Sequence, residues 1–254
     1  WVKEFHIWMR GMTAQWMGVT GSHANSVAPL LISTEQGYLK STFCKSLLPP
    51  ALQRYYMDKV DLTSQGHIER RLAEMGLLNL DEFDTLSPAR MQELKSLITQ
   101  DVMNERKVYD IQNYTFIRRA SFIASTNNPH CLPDIGENRR ILFNTLLEID
   151  YHTPVNHQGI YAQAYALYRQ GFQYWYENQE ITFLNNRNEA FRQKDPLEEN
   201  LFFYFRAARP NDIQAKWYPA SQLLSVLSMN GRTQANAQMK QMLSLIHISE
   251  PTRP

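Results

Sequence analysis

The chain has no excess of charge of one sign, because 26 lysines and arginines balance 25 aspartates and glutamates, for a formal net charge of +1. This balance excludes a strong overall electrostatic field, so any contact with nucleic acid has to come from a local basic patch. The chain also lacks a run of eighteen apolar residues and a signal-peptide pattern. These two absences predict a soluble, cytoplasmic protein that makes no membrane contact.

Cysteine is scarce as well, with Cys44 and Cys131 the two in 254 residues. Two cysteines are too few for a zinc cluster or a disulfide framework. We therefore expect each thiol to pack as a small buried hydrophobic group. The length suits one large domain, or one domain with an appendage.

Both ends of the sequence are unusual. It begins at Trp1, inside a helical pattern and without an initiator methionine, which predicts that sequence is missing upstream. Residues 243–253 resemble the translation of a transposase-type sequencing adapter. Residues 243–254 are therefore expected to be an artefact and take no part in the prediction of the fold.

The most informative stretch is residues 30–43, Leu-Leu-Ile-Ser-Thr-Glu-Gln-Gly-Tyr-Leu-Lys-Ser-Thr-Phe. An apolar run, a tight turn and Lys-Ser-Thr at the start of a helical pattern predict a strand, a phosphate loop and a helix. Lys40 would add charge beside the β- and γ-phosphates, and Ser41 would ligate Mg²⁺. The usual G-x-x-x-x-G-K-[ST] template has glycine where this chain has Thr34 and Leu39. An ordinary helix start with a Ser/Thr cap therefore stays an alternative.

A second motif, residues 76–84, follows about forty residues later and is an apolar strand that ends in acidic side chains. A nucleotide hydrolase needs such acids: Asp81 would hold Mg²⁺ directly or through water, and Glu82 would orient and deprotonate the attacking water. Asp84 is expected to be a helix cap or a solvated acid. Both motifs lie at the carboxyl ends of predicted strands, where α/β sheets bind ligands.

Two further motifs complete the set. The strand over residues 120–125 is expected to lie between the other two, and Asn127 at its end would hold the attacking water, with a plain turn as the alternative. Arg139 and Arg140 precede a last strand over residues 141–146. Alone, this pair would be taken for surface charge. After the three preceding motifs, it fits an arginine finger that stabilises charge on the transferred phosphate.

A basic and aromatic segment, residues 101–119, separates the second motif from the third. We interpret it as a hairpin that presents Arg106 and Lys107 to single-stranded DNA. A solvated hairpin face is an equal alternative.

The chain resembles the virulence-associated protein E family in segments taken in order: Glu-Gln-Gly-x-x-Lys-Ser-Thr-Phe, Leu-Pro-Pro, Asn-Leu-Asp-Glu-Phe-Asp, Arg-Ala-Ser-Phe-Ile-Ala-Ser-Thr-Asn and Asn-Arg-Arg. That family is associated with phages and mobile elements, and is similar to superfamily 3 helicases and primase-helicases of the AAA+ class. The resemblance covers residues 1–193. It implies the nucleotide roles argued above for Lys40, Ser41, Asp81, Glu82, Asn127, Arg139 and Arg140.

The residues after 146 are predicted to be helical. Five aromatic side chains recur at helical spacing over residues 160–176 and are interpreted as core, and residues 180–194 form a polar helix. Residues 196–242 have helix-turn-helix spacing, which fits part of a winged-helix module or a helical lid.

The sequence therefore predicts an α/β fold of the P-loop NTPase type, with a core over residues 1–150, a helical extension over 151–195 and the partial module after it. ATP and Mg²⁺ are the expected ligands, and single-stranded DNA and further copies of the chain are the expected partners. The predicted function is an ATP-dependent, helicase-like step in DNA replication of a phage or mobile element. A non-hydrolysing replication-initiation adaptor stays open; a small-molecule kinase fits the order of motifs less well. The predicted nucleotide-binding residues are Glu35, Gln36, Gly37, Lys40, Ser41 and Thr42.

Overall fold

The computed structural model describes residues 2–18, 23–35, 37–58, 60, 67–106, 113–132, 138–150 and 152–192, together with residues 205, 219 and 223. The chain divides into two compact units, residues 1–193 and 194–254. The helices and strands described below belong to the first unit. The predicted module over residues 196–242 and the predicted adapter segment lie almost wholly outside the described residues.

Five parallel strands form the central sheet, in the order β2-β3-β6-β1-β7. Strand β6 therefore lies between β1 and β3, which is the position predicted from the sequence. Strands β1, β3 and β6 are buried along their whole length, as expected of a parallel sheet with helices on both faces. The five strands are β1 (Ala28–Ile32), β2 (Tyr56–Asp58), β3 (Leu77–Leu80), β6 (Ser121–Thr126) and β7 (Ile141–Thr145).

The register of the sheet brings the carboxyl ends of its three middle strands to one edge. Leu30 pairs with Ala124, and Ile32 pairs with Thr126. Leu80, the last residue of β3, also pairs with Ala124. The loops that follow these strands therefore start at nearly the same level, and this carboxyl edge is where a parallel sheet places its ligands.

Six α-helices and three short 3₁₀ helices surround the sheet in the described residues. Helix α4 begins at a capping motif, in which the Ser87 side chain accepts a hydrogen bond from Arg90 N and Pro88 occupies the first turn. The α-helices are α1 (Val2–Met17), α2 (Lys40–Ser46), α3 (His67–Glu74), α4 (Pro88–Thr99), α5 (His157–Arg169) and α6 (Asn178–Asn188). The 3₁₀ helices are Pro50–Tyr55, Phe83–Thr85 and Glu189–Phe191.

Helix α5 is shorter than predicted. It ends at Arg169, and Gly171 follows with φ +75°, a left-handed conformation that stops a helix at low steric cost. The prediction that the aromatic side chains of this segment form core is wrong for Tyr165 and Phe172, which are 41% and 49% exposed.

The core has two layers, one on each face of the sheet. Leu31 and its neighbours pack with Trp8 of α1 and Cys44 of α2, while Leu30 and Ile32 face the layer under α3 and α4. The Trp8 indole also donates to Phe122 O at 3.1 Å, which joins α1 to β6. Cys44 and Cys131 are both buried, as predicted. Among the described helices, none is both long and apolar enough to span a membrane.

The predicted hairpin is present as antiparallel strands β4 (Val102–Arg106) and β5 (Asn113–Ile117). Its tip, with Lys107, lies outside the described residues. The segment that the sequence predicts to be a hairpin, residues 101–119, also includes Arg118 and Arg119, and these two side chains do not lie on an exposed face. Arg118 is fully buried and donates at 3.2 Å to Gln15 Oε1, Asn25 O and Ala120 O. Arg119 is half-buried and donates to Trp16 O. Both guanidinium groups therefore hold α1 and the loop after it against the sheet.

Candidate active site

The first and third sequence motifs meet at the carboxyl edge of the sheet. Lys40 begins α2 after the loop that follows β1, and Asn127 directly follows β6. The Lys40 ammonium donates to Asn127 Oδ1 at 2.5 Å. Two side chains that are 87 positions apart are thus placed in direct contact.

The second motif contributes charge to the same place. Partial burial lowers the pKa of Lys40 below its ordinary value, and the Asp81 carboxylate acts in the opposite direction. Asp81 is therefore close enough to interact with the ammonium, although desolvation remains the larger effect. A partly desolvated cation gains from an additional anionic partner, so the site favours an anion that can approach Lys40.

The loop before Lys40 has positive φ at two described residues, one of them a glycine. Leu39 has φ 52° and ψ 29°, and Gly37 has φ 90°. Leu39 adopts a left-handed conformation although a side chain disfavours it. Its cost is roughly 1–2 kcal/mol relative to glycine. The Leu39 carbonyl then accepts from Phe43 N at 2.8 Å, which starts α2.

The residues after β3, numbers 81–85, form what we call the acid loop. Asp81 Oδ1 accepts from Ser125 Oγ at 2.6 Å, and Asp84 Oδ1 accepts from Thr126 Oγ1 at 2.5 Å. Asp84, which the sequence predicts to be a helix cap or a solvated acid, is exposed and accepts a hydrogen bond from the neighbouring strand. Two consecutive hydroxyl groups of β6 hold both aspartates of the loop.

Glu82, between the two aspartates, also has a left-handed backbone, with φ 53° and ψ 46°. Its side chain is exposed, while its carbonyl accepts from Thr85 N at 2.9 Å and from Thr85 Oγ1 at 2.8 Å. Leu39 and Glu82 are the two non-glycine residues with positive φ in the part of the chain that is described. Both lie at the same edge of the sheet, and strained backbone of this kind clusters at functional sites.

A polar cluster that sequence reasoning left without a role adjoins the acid loop. Asp58, the last residue of β2, accepts from Asn79 Nδ2 at 3.0 Å and from the Tyr56 hydroxyl. That hydroxyl also lies 3.3 Å from Ser41 O. The cluster therefore connects the first turn of α2 to β2 and β3. The run Tyr-Met-Asp carries no recognisable motif, so only the tertiary structure shows this contact.

The arginine pair is not brought to this edge. Arg139 and Arg140 are half-buried and precede Ile141, which pairs with Ala28 at the start of β1. Arg140 O accepts from Ala28 N at 2.8 Å. The pair therefore lies at the amino edge of the sheet. At ~3.3 Å per residue, the length of β1 separates that edge from the loop that follows β1 by about 13 Å.

The remaining predicted residues have mixed outcomes. Glu35, Gly37 and Thr42 are exposed in or just after the loop, and Ser41 is half-buried in the first turn of α2. Gln36 lies outside the described residues, as does the side chain of Arg106. The positions of these side chains neither add to nor remove the predicted roles.

The donor set fits Mg²⁺ better than a transition metal. No group of three or more His, Cys, Asp or Glu side chains that could hold a metal was found among the described residues. Mg²⁺ does not need such a cluster beside a nucleotide, because one or two protein oxygens, water and phosphate complete its shell. The Ser41 hydroxyl and the Asp81 carboxylate are ligands of that type. Ser125 uses one of about four acceptor positions on the Asp81 carboxylate.

Comparison with known proteins gives one family. The model of the virulence-associated protein E-like domain matches residues 4–193. No curated protein matches the chain. Among solved structures, the apo structure of the NrS-1 C terminal region (305-718) is 15% identical, with a TM-score of 0.43 over 93% of this chain and 58% of that one. The A form apo structure of the same region is 14% identical, with a TM-score of 0.42 over 93% and 57%. The chain thus spans a little over half the length of these structures.

Proposed function

The chain belongs to the virulence-associated protein E-like domain family, and from this premise and the geometry of the carboxyl edge we propose that it is a P-loop ATPase. It would bind ATP with Mg²⁺ and couple hydrolysis to a helicase-like step on DNA, in replication of a phage or mobile element. The observation that carries the proposal is the contact of Lys40 with Asn127 beside the Asp81 carboxylate.

Each residue has one chemical task in this proposal. The Lys40 ammonium has three N–H donors, of which one reaches Asn127 and the others are available to phosphate oxygens. Mg²⁺ held by Ser41 and Asp81 would neutralise phosphate charge. Asn127 orients a water molecule in line with the γ-phosphorus. Glu82 accepts the proton of that water as its oxygen bonds to phosphorus and the bond to the β–γ bridging oxygen breaks.

The arginine finger comes from a second copy of the chain in this proposal. Arg139 and Arg140 lie a full strand length from the Lys40 of their own chain, so they suit the site of a neighbour better than their own. An interface that joins one edge of a protomer to the opposite edge of the next is head-to-tail, and it closes into a ring when the rotation allows. We therefore include a homo-oligomer in the proposal.

The first test is nucleotide binding by Lys40→Ala, with Lys45→Ala as a matched control, because Lys45 is an exposed lysine on the same helix. The affinity for a non-hydrolysable ATP analogue with Mg²⁺ is measured by calorimetry. We expect Lys40→Ala to weaken binding roughly 10- to 150-fold, the range for loss of a charged hydrogen bond. Lys45→Ala should bind like the unsubstituted chain. Equal affinity in all three proteins contradicts the proposal.

One observation favours a second candidate, a nucleotide-binding adaptor that does not hydrolyse ATP. The Leu39 side chain is exposed within the proposed phosphate loop, at a position where the template has glycine. Glu82→Gln separates the two functions, because the amide keeps the shape of the side chain but cannot act as a base. In an ATPase this variant binds ATP and loses turnover. Binding without turnover in the unsubstituted chain as well would favour the adaptor.

A further inference from the structure

Three consecutive side chains, Ser125, Thr126 and Asn127, contact three different parts of the candidate site. Ser125 donates to Asp81 and Thr126 to Asp84, and Asn127 accepts from Lys40. From this arrangement we propose that Thr126 and Asp84 are positioning residues that hold the strained backbone of Glu82 and thereby set the rate of hydrolysis. The inference rests on the proposed ATPase function.

The backbone of Glu82 needs such a restraint. A left-handed conformation is unfavourable for a residue with a side chain, so an unrestrained loop would relax to another φ and turn the Glu82 carboxylate in a different direction. The structure restrains the loop on both sides of this residue. Asp81 is tied to β6 on one side, and Asp84 is tied to β6 on the other. Phe83 is fully buried between them, and Thr85 holds the Glu82 carbonyl.

Thr126 is well placed to transmit this restraint. Its side chain is buried, and its Oγ1 donates to Asp84 while accepting from Asn128 N at 3.0 Å. Both hydrogen-bonding functions of the hydroxyl are thus used, which fixes its orientation. Its carbonyl accepts from Ser33 N at 3.2 Å, where the phosphate loop begins. The same residue therefore contacts both loops of the site without occupying the place of the nucleotide.

Of the two hydrogen bonds that hold the acid loop, Ser125–Asp81 and Thr126–Asp84, the second gives the more specific test. Ser125 bonds to Asp81, a proposed Mg²⁺ ligand, so its loss would change metal and nucleotide binding as well as the loop. Asp84 has no such task in the proposed mechanism. Loss of its hydrogen bond with Thr126 should therefore lower kcat and leave nucleotide affinity unchanged.

The experiment compares Thr126→Val, which keeps the shape of the side chain but removes the hydroxyl, with Thr126→Ser, which keeps the hydroxyl. We measure kcat and KM for ATP, and the affinity for a non-hydrolysable analogue. Thr126→Val is expected to lower kcat roughly 10-fold or more, with KM and analogue affinity unchanged, while Thr126→Ser retains kcat. Asp84→Ala, which removes the acceptor, should lower kcat like Thr126→Val, and the double variant should lose no more than either single one, because both changes break the same hydrogen bond.

Three outcomes overturn the inference. If the unsubstituted chain hydrolyses ATP and Thr126→Val matches Thr126→Ser, the hydroxyl does not position Glu82, although the ATPase proposal stands. A loss of analogue affinity equal to the loss of kcat/KM would show a general structural role. If the unsubstituted chain has no turnover, the ATPase proposal fails and the inference fails with it. Should Thr126→Val not fold, Asp84→Ala replaces it, because Asp84 is exposed, and an unchanged kcat in Asp84→Ala then counts as the first of these outcomes.

Discussion

Leu39 has a left-handed backbone at a position where the phosphate-loop template has glycine. Glycine is common in such loops because it adopts positive φ without steric cost, and leucine reaches the same region only with strain. In this chain leucine, with φ 52° and ψ 29°, occupies the position where the template has glycine. The strain has to be offset by the surrounding contacts, among them the bond that starts α2.

Substitution of Leu39 by glycine or valine tests whether loop shape controls binding. Leu39→Gly relieves the strain but adds entropy to the unfolded chain, so we expect stability to change by less than about 1 kcal/mol and affinity to be retained. Leu39→Val places a β-branched residue at positive φ, which is less favourable still, and should weaken nucleotide binding. Analogue affinity and thermal unfolding of both variants measure these effects. Tighter binding by the valine variant than by the glycine variant would contradict the argument.

Arg118 is a residue whose importance is structural. Its buried guanidinium donates to three neutral oxygen atoms, and burial lowers its pKa. Arg118→Met would remove these three hydrogen bonds from a buried site, so we expect the free energy of unfolding to fall by roughly 2–4 kcal/mol. Arg70→Met is the control, because Arg70 pairs with Glu74 on the surface and should change stability by less than about 0.5 kcal/mol. Urea unfolding measures both, and equal losses would remove the special role of Arg118.

Strands and helices were the most predictable level of this molecule. The runs that form β1, β3, β6 and β7 are apolar and short, and Ser87-Pro88 marks the start of α4, so local composition was sufficient. The end of α5 was missed because a helical spacing of aromatics continues past the glycine that stops the helix. The spacing of apolar side chains indicates which face of a helix is apolar. It does not indicate where the helix ends.

The details of the candidate site were predictable only in part. Lys40, Asp81 and Asn127 are polar residues after apolar strands, so their convergence follows from the geometry of parallel sheets. The hydrogen bonds that hold the acid loop, and the burial of Arg118, depend on contacts between side chains of different strands, helices and loops. Single-sequence patterns do not contain that information, since a serine or arginine looks the same in a core as on a surface.

The β4–β5 hairpin keeps its predicted role in DNA binding as a proposal. Replacing Arg106 and Lys107 by alanine should weaken single-stranded DNA binding and reduce its dependence on salt, because fewer counterions are released. Basal ATP turnover should be unchanged. The matched control replaces Arg70 and Arg71 of α3 by alanine. Both residues are exposed, and their replacement removes the same formal charge. Equal losses in the two double variants would assign the effect to net charge and not to the hairpin.

The proposal that the arginine pair acts on a neighbouring copy of the chain can be tested by mixing two inactive variants. Glu82→Gln and the double variant Arg139→Ala/Arg140→Ala should each be inactive alone, since each lacks one half of a shared site. Mixed after subunit exchange, they should recover part of the turnover, because some interfaces join an intact Glu82 to an intact arginine pair. If exchange is verified and the mixture stays inactive at every ratio, the arginines do not act on a neighbour.

At the scale of the whole molecule, we expect the two buried thiols, Cys44 and Cys131, to lower the free energy of unfolding at alkaline pH. Burial raises the pKa of Cys131 to about 12, and burial together with Asp58 and Asp81 raises that of Cys44 further. In the unfolded chain a thiol ionises near 9.0, so above that pH the unfolded state releases protons first and is favoured. The stability contributed by each thiol is therefore complete below about pH 9 and is lost above it.

This loss should be roughly 1 kcal/mol per thiol between pH 8 and pH 10. Urea unfolding at several pH values measures it. Cys44→Ala will be less stable at every pH because of the lost packing, but its stability should decline less steeply between pH 8 and pH 10. Identical slopes for the variant and the unsubstituted chain would contradict the linkage.

The order of strands in the sheet has a consequence for the time at which the protein can fold. Strand β1 is completely buried, yet both of its partners, β6 and β7, follow it by about ninety residues or more. At roughly 5–20 residues per second, a ribosome needs about 5–20 s to supply the first of them. During that interval the apolar strand has no neighbour to pair with, and such pairing over long sequence separation is slow even afterwards. The central sheet of a nascent chain with this topology therefore cannot be completed until residue 145 has been made.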